Sequence, residues 1–136
     1  MKRTATAIWN GTGKDGSGHL TTQSTTLNQT QYSYKSRFEQ GVGTNPEELI
    51  AAAHAGCFAM KLSFVLQTGG FTAESLDVTS TVTLGDGGIT GSDLVLKARI
   101  PGISPEKFKE ATEDAKLNCP VSKLLNATIT LDAQLV

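Results

Sequence analysis

Near its C-terminal end the chain alternates cleanly, with apolar Ile129, Leu131, Ala133 and Leu135 between polar Thr128, Thr130, Asp132 and Gln134. Successive side chains of an extended strand point to opposite faces, so this pattern predicts a strand with one buried face. The same period recurs over residues 75–84, where Leu76, Val78, Val82 and Leu84 interleave with Asp77, Thr79, Thr81 and Thr83. A turn at Gly85-Asp86-Gly87-Gly88 then leads into a further strand over 93–100. In the N-terminal third, strands are expected over 4–10, 19–26 and 31–39, the first two separated by the glycine-rich turn 11–18. In the third of these, Tyr32, Tyr34, Ser36 and Phe38 share one face, and Lys35, Arg37 and Glu39 the other.

Two segments follow a helical period instead. Asn45-Pro46-Glu47-Glu48 combines an N-cap residue, a proline at the first helical position and a carboxylate at the third. A helix is expected from there to about residue 67, stopped by Gly69-Gly70. From Leu49 to Met60 it is apolar almost all round except at His54, which predicts burial on most sides. Ser104-Pro105-Glu106-Lys107 repeats the capping signal and opens an amphipathic helix to about residue 117, and Pro120 breaks the chain just beyond it. The order is βββ-α-ββ-α-β, an α+β class.

Composition narrows the functional classes. A chain of 136 residues with no internal repeat or compositional break fits a single domain over 1–136. Its formal charge of −1 points to neither nucleic acid nor an anionic membrane. The basic N-terminus lacks the apolar core of a signal peptide, and His54 and Lys61 interrupt the longest apolar run. A cytoplasmic protein without a membrane span is therefore expected.

The chemistry centres on two cysteines. Cys57 lies in the alanine-rich helix, where burial raises a thiol's pKa and favours its inert form, so a core role and a nucleophilic role both stand open. A nucleophile there needs a cation. The helix dipole fades within the first turn and Cys57 is about three turns in, so the cation must be a side chain, with Arg37 the best candidate. His54, three residues before Cys57, is a candidate base or a packing residue. Glu48 suits the cap, which frees Glu47. Ten residues separate Glu47 from Cys57, about 15 Å along a helix axis. They can share a site only if the helix is interrupted or Glu47 comes from a second subunit. Cys119, beside Pro120, sits where the backbone is expected to move, as a thiol that swings toward a partner would require. His19, His54, Cys57 and Cys119 lack the close spacing of a metal site, and no glycine loop for nucleotides precedes a helix.

Arg37-Phe38-Glu39, then Gly43-Thr44-Asn45-Pro46-Glu47-Glu48-Leu49, Ala53-His54-Ala55-Gly56-Cys57-Phe58 and Cys119-Pro120-Val121-Ser122 together resemble the OsmC/Ohr family. The placing of Arg-Phe-Glu shortly before the helix is similar to the osmotically inducible branch. Such a resemblance implies antiparallel sheets around a buried central helix and an intertwined homodimer with active sites at its interface. It also implies a thiol-dependent peroxidase acting on organic hydroperoxides and, more weakly, hydrogen peroxide, in oxidative and osmotic stress. On this resemblance Cys57 is the peroxidatic cysteine, Cys119 the resolving one, and Arg37 and Glu47 their polar partners. No bound cofactor is implied; an external dithiol, of lipoyl type in some relatives, closes the cycle. Two rivals remain: a cysteine-pair redox sensor, and a ligand-binding dimer whose cysteines are core residues.

Overall fold

The computed structural model describes residues 1–136, which form two compact units, Met1–Leu49 and Ile50–Val136. In the first unit, strands β1 (Ala5–Asn10), β2 (Ser17–Thr22) and β3 (Thr30–Ser33) pair antiparallel in the order β1-β2-β3. The expected third strand ends early, at Ser33. Residues Tyr34–Phe38 form a short helix, α1, so Arg37 stands on a helix rather than a strand. The cause is a capping box: the Ser33 hydroxyl accepts from the Ser36 N–H at 3.2 Å, and the Ser33 N–H donates to Ser36 Oγ at 2.9 Å. Ser36 Oγ also donates to the Thr44 carbonyl at 2.8 Å, which draws the following loop back onto the helix. Gly43 is needed in that loop. Its φ is +109°, and a Cβ there would meet the Gln31 carbonyl oxygen at 2.1 Å.

Helix α2 runs unbroken over Pro46–Thr68. Asn45 Oδ1 caps it by accepting the Glu48 N–H at 2.9 Å, as the sequence suggests. The Glu48 carboxylate accepts the Thr44 hydroxyl at 2.5 Å, a neighbour of the cap rather than the cap's own N–H. Expected burial on most sides is not found within the chain. Only one stripe is buried, His54, Phe58, Leu62 and Leu66, spaced by four and hence on one face. Met60 and Phe64, on another face, are 64 % and 59 % exposed. Nor do His54 and Lys61 keep α2 below membrane length. An 18-residue window reaches a mean hydropathy of 1.7, long and apolar enough to cross a bilayer by composition alone. Its buried stripe nevertheless packs in the second unit's protein core.

That core joins Phe58, Leu62 and Leu66 of α2 to Leu94, Leu96 and Ala98 of strand β5 (Gly88–Arg99), and to Phe108, Ala111 and Ala115 of helix α3 (Pro105–Asn118). Strand β4 (Ser75–Gly85) pairs antiparallel with β5, and β6 (Thr128–Leu135) pairs parallel with it. The sheet order is β4-β5-β6, so this second sheet is mixed rather than wholly antiparallel. Parallel pairing requires a crossover, here made by α3 and a five-residue helix α4 (Pro120–Leu124) between β5 and β6. Pro120 ends α3 as expected, but it does so by opening α4 at once, where proline's fixed φ suits the first turn. The α+β class stands, with α1 and α4 as additions.

Candidate functional site

The expected site residues fall into two pairs, one in each unit. In the first, Arg37 and Glu47 form a forked ion pair: Arg37 Nη2 donates to Glu47 Oε1 at 2.8 Å, and Nε donates to Oε1 at 3.1 Å and Oε2 at 3.3 Å. The helical turn of α1 and the first turn of α2 bring them together across the loop that Gly43 and Thr44 shape. Hydrogen bonding to Glu47 raises the Arg37 pKa above its already high ordinary value, so the guanidinium is a permanent charge with its plane fixed. Aromatic rings line the cavity beside it. A cavity of about 280 Å³ is lined by Trp9, Tyr32, Tyr34, Arg37, Phe38 and Pro46. Trp9 and Tyr32 sit 5.2 Å apart between ring centres, Tyr34 and Phe38 4.8 Å, and the guanidinium carbon lies 5.1 Å from the Phe38 centre. Charge and apolar wall therefore lie side by side.

The second pair is made of the two thiols. Cys57 is part-buried on α2 and Cys119 is fully buried between α3 and α4; both are free, and Cys119 Sγ donates to Cys57 Sγ at 2.8 Å. A disulfide needs about 2.05 Å, so closing one asks for less than about 1 Å of sulfur movement. Cys119 caps two helices at once. Its N–H donates to the Ala115 carbonyl at 2.9 Å to end α3, and its carbonyl accepts the Lys123 N–H at 3.1 Å in α4. The expected mobile, swinging thiol is thus replaced by one already seated against its partner, because α4 begins at Pro120 without an intervening loop.

Burial pushes the Cys57 thiol up, and the Cys119 contact adds to the rise, while a backbone hydrogen bond from Val121 pulls the other way. On balance these surroundings favour the protonated Cys57 thiol. Val121 escaped the sequence reading because a backbone donor leaves no mark in residue type. His54 is fully buried and its ring nitrogens hydrogen-bond to serines rather than to a sulfur: its Nδ1 lies 2.6 Å from Ser92 Oγ and its Nε2 2.8 Å from Ser122 Oγ. Burial lowers its pKa, which favours the neutral ring. Ser92 was legible in principle, as a polar residue in register with Leu94, Leu96 and Ala98 on the buried face of β5. No group of three or more His, Cys, Asp or Glu side chains gathers where a metal ion could be held.

Comparison with known proteins places this arrangement. The family model for OsmC-like protein matches residues 39–134. Peroxiredoxin OsmC of Escherichia coli is 47 % identical over 133 residues, covering 95 % of this chain and 93 % of that one. Organic hydroperoxide resistance protein OhrB of Bacillus subtilis is 29 % identical over 123 residues, or 87 % and 88 % of the two chains. Its crystal structure matches with a TM-score of 0.68 at 25 % identity over 98 % of both. The OsmC-like protein of Mycoplasma pneumoniae reaches a TM-score of 0.78 over 100 % of this chain and 98 % of that one, and at 18 % identity it speaks for the fold alone. With two free thiols in contact, a forked Arg37–Glu47 pair and relatives matching nearly end to end, the chain belongs to the OsmC-like family.

Proposed function

We propose that this protein is a thiol-dependent peroxidase that reduces organic hydroperoxides, and hydrogen peroxide more weakly, in stress defence. The contact that carries the proposal is the one between Cys57 and Cys119, two free sulfurs 2.8 Å apart. The 47 % identity to a protein named a peroxiredoxin supports it. In the proposed cycle the Cys57 thiolate attacks the terminal peroxide oxygen and the O–O bond breaks. The alkoxide takes a proton and leaves as alcohol, and Cys57 becomes a sulfenic acid. Cys119 then attacks that sulfur, water leaves, and the Cys57–Cys119 disulfide forms. An external dithiol, of which a lipoyl type is one candidate, supplies two electrons and two protons to restore both thiols. No bound cofactor enters any step.

We read the working unit as a homodimer. Glu47 and Cys57 stand ten residues apart on a helix with no break between Pro46 and Thr68, which supports a second subunit as the way for both to serve one centre. In that arrangement Arg37 supplies the missing cation to a partner's sulfur, and the exposed Met60 and Phe64 of α2 offer apolar surface for the contact. The family match spans the boundary between the two units, which supports treating them as one domain, and a cytoplasmic location goes with the dithiol requirement.

Arg37→Lys tests the cation. Lysine keeps the charge but loses the fork to Glu47, so kcat/KM for hydroperoxide is expected to fall about a hundredfold, the usual loss when one oriented donor is removed. Stopped-flow measurement of peroxide consumption checks this, and an unchanged rate would remove Arg37 from the site. The aromatic lining beside Arg37 favours a substrate with an apolar body. In steady-state assays with a dithiol, an alkyl hydroperoxide is expected to give at least about tenfold higher kcat/KM than hydrogen peroxide, since burying a few methylenes is worth about that factor. Equal values would contradict the assignment. Oxidation that stops after one equivalent despite excess dithiol would make the protein a sensor instead.

A further inference from the structure

One buried network has no part in the cycle above. Ser80 Oγ on β4 lies 3.0 Å from Ser92 Oγ on β5, and Ser92 meets Nδ1 of His54 on α2. The other ring nitrogen meets Ser122 on α4. A neutral imidazole has one donor and one acceptor, so one serine donates to the ring and the other accepts from it. Ser92 is fully buried and Ser122 nearly so, and no buried side-chain nitrogen or oxygen in the chain lacks a partner. The row is therefore fully satisfied and directional, which makes it costly to disturb.

Its two ends identify what it holds. His54 lies one helical turn before Cys57 on α2, on the face of Phe58, Leu62 and Leu66. Ser122 lies in the first turn of α4, beside Val121, whose backbone touches Cys57, and just after Cys119, which caps that helix. A five-residue helix has little stability of its own, so its place is set by what anchors it. We infer that His54 is a positioning residue: by bridging Ser92 and Ser122 it fixes α4 against α2 and so sets the approach of Cys119 to Cys57. The inference deepens the proposed function and rests on it only in taking disulfide closure as a step of the cycle.

The test uses the full chain in glutathione buffers, where oxidised glutathione takes two electrons from the thiol pair and leaves as two reduced glutathiones, with the Cys57–Cys119 bond formed. Ser122→Ala removes the α4 end of the bridge. His54→Asn keeps an amide near the Nδ1 position and loses the reach to Ser122, whereas His54→Gln keeps an amide near the Nε2 position. Ser122→Thr retains the hydroxyl. In Ser122→Ala and His54→Asn the equilibrium constant for closing the disulfide is expected to fall about tenfold, the usual consequence of losing one buried hydrogen bond. In His54→Gln and Ser122→Thr it should stay within about threefold of wild type. Thermal denaturation of each variant is followed in parallel. A set of variants that lose thermal stability while keeping the wild-type equilibrium constant would overturn the inference, since a merely structural histidine behaves that way. Should a His54 variant fail to fold, the Ser122→Ala and Ser122→Thr comparison decides alone. Wild type that closes the disulfide in glutathione but not with hydroperoxide would overturn the peroxidase proposal and leave this inference standing. Wild type that closes it in neither would overturn both.

Discussion

Cys57→Ser is expected to abolish hydroperoxide consumption, a loss of at least about a thousandfold in kcat/KM. A serine hydroxyl ionises far less readily than a thiol and has no sulfenic state to pass through, so neither attack nor resolution has a chemical route. The local environment sharpens this expectation, because burial and the Cys119 contact already raise the Cys57 pKa. Any mechanism that depends on ionising this position has reactivity to lose, and oxygen for sulfur removes it. Folding should be little affected: Cys57 is part-buried and the replacement differs by one atom. The check is the rate of alkyl hydroperoxide loss with a dithiol present, together with circular dichroism of the variant. Turnover within about tenfold of wild type would place the reacting centre elsewhere.

Cys119→Ser separates attack from resolution. Cys57 keeps its thiol, so one equivalent of hydroperoxide is still consumed, but the sulfenic acid has no neighbouring sulfur to capture it. Expected is a single fast turnover, then a Cys57 sulfenic acid that reacts with dimedone and moves to sulfinic acid with further peroxide. Cys119 is fully buried, and a hydroxyl there needs hydrogen bonds that a thiol scarcely needs. A stability loss of about 1–3 kcal/mol is expected for the serine variant, and Cys119→Ala serves as the control without an added polar group. Disulfide formation in either variant within one chain is chemically excluded; full multiple turnover in both would remove Cys119 from the cycle.

Much of this molecule is legible in its sequence wherever one local rule decides. The cap at Asn45-Pro46, the alternation of residues 128–135 and the Ser104 signal mark α2, β6 and α3, and the structure places each within a residue or two of its expectation. Local rules compete at α1. Alternating aromatic and charged residues over 31–39 read as a strand, yet Ser33 and Ser36 satisfy each other's backbone and turn Tyr34–Phe38 into a helix. Even so, Arg37 and Glu47 meet, because the helical turn and the Gly43 loop bring them together. The parallel pairing of β6 is of a different kind: period two marks a strand but not the direction of its neighbour.

Burial of α2 shows the limit from the other side. An apolar helix calls for cover all round, while one chain covers only the His54–Phe58–Leu62–Leu66 stripe. Met60 and Phe64 on another face stay exposed, and the helical period alone does not foretell which apolar face is buried. At the site, the residue types of Cys57 and Cys119 were informative but their separation was not. The 2.8 Å contact arises because α3 stops at Cys119, α4 begins at Pro120, and Val121 and Ser122 are pinned by backbone and histidine. Ser92 and Ser122 are ordinary serines in sequence; only their register in β5 and α4 gives them work.

The most direct measurement is peptide mass mapping of the wild-type protein after one equivalent of an alkyl hydroperoxide, with free thiols alkylated before digestion. The expected result is one alcohol released per chain and a single cross-linked peptide pair joining Cys57 to Cys119, lighter by two hydrogens than the reduced peptides. Both cysteines recovered fully alkylated, or the added oxygen found only on methionine, would contradict the assignment of this thiol pair as the reacting centre.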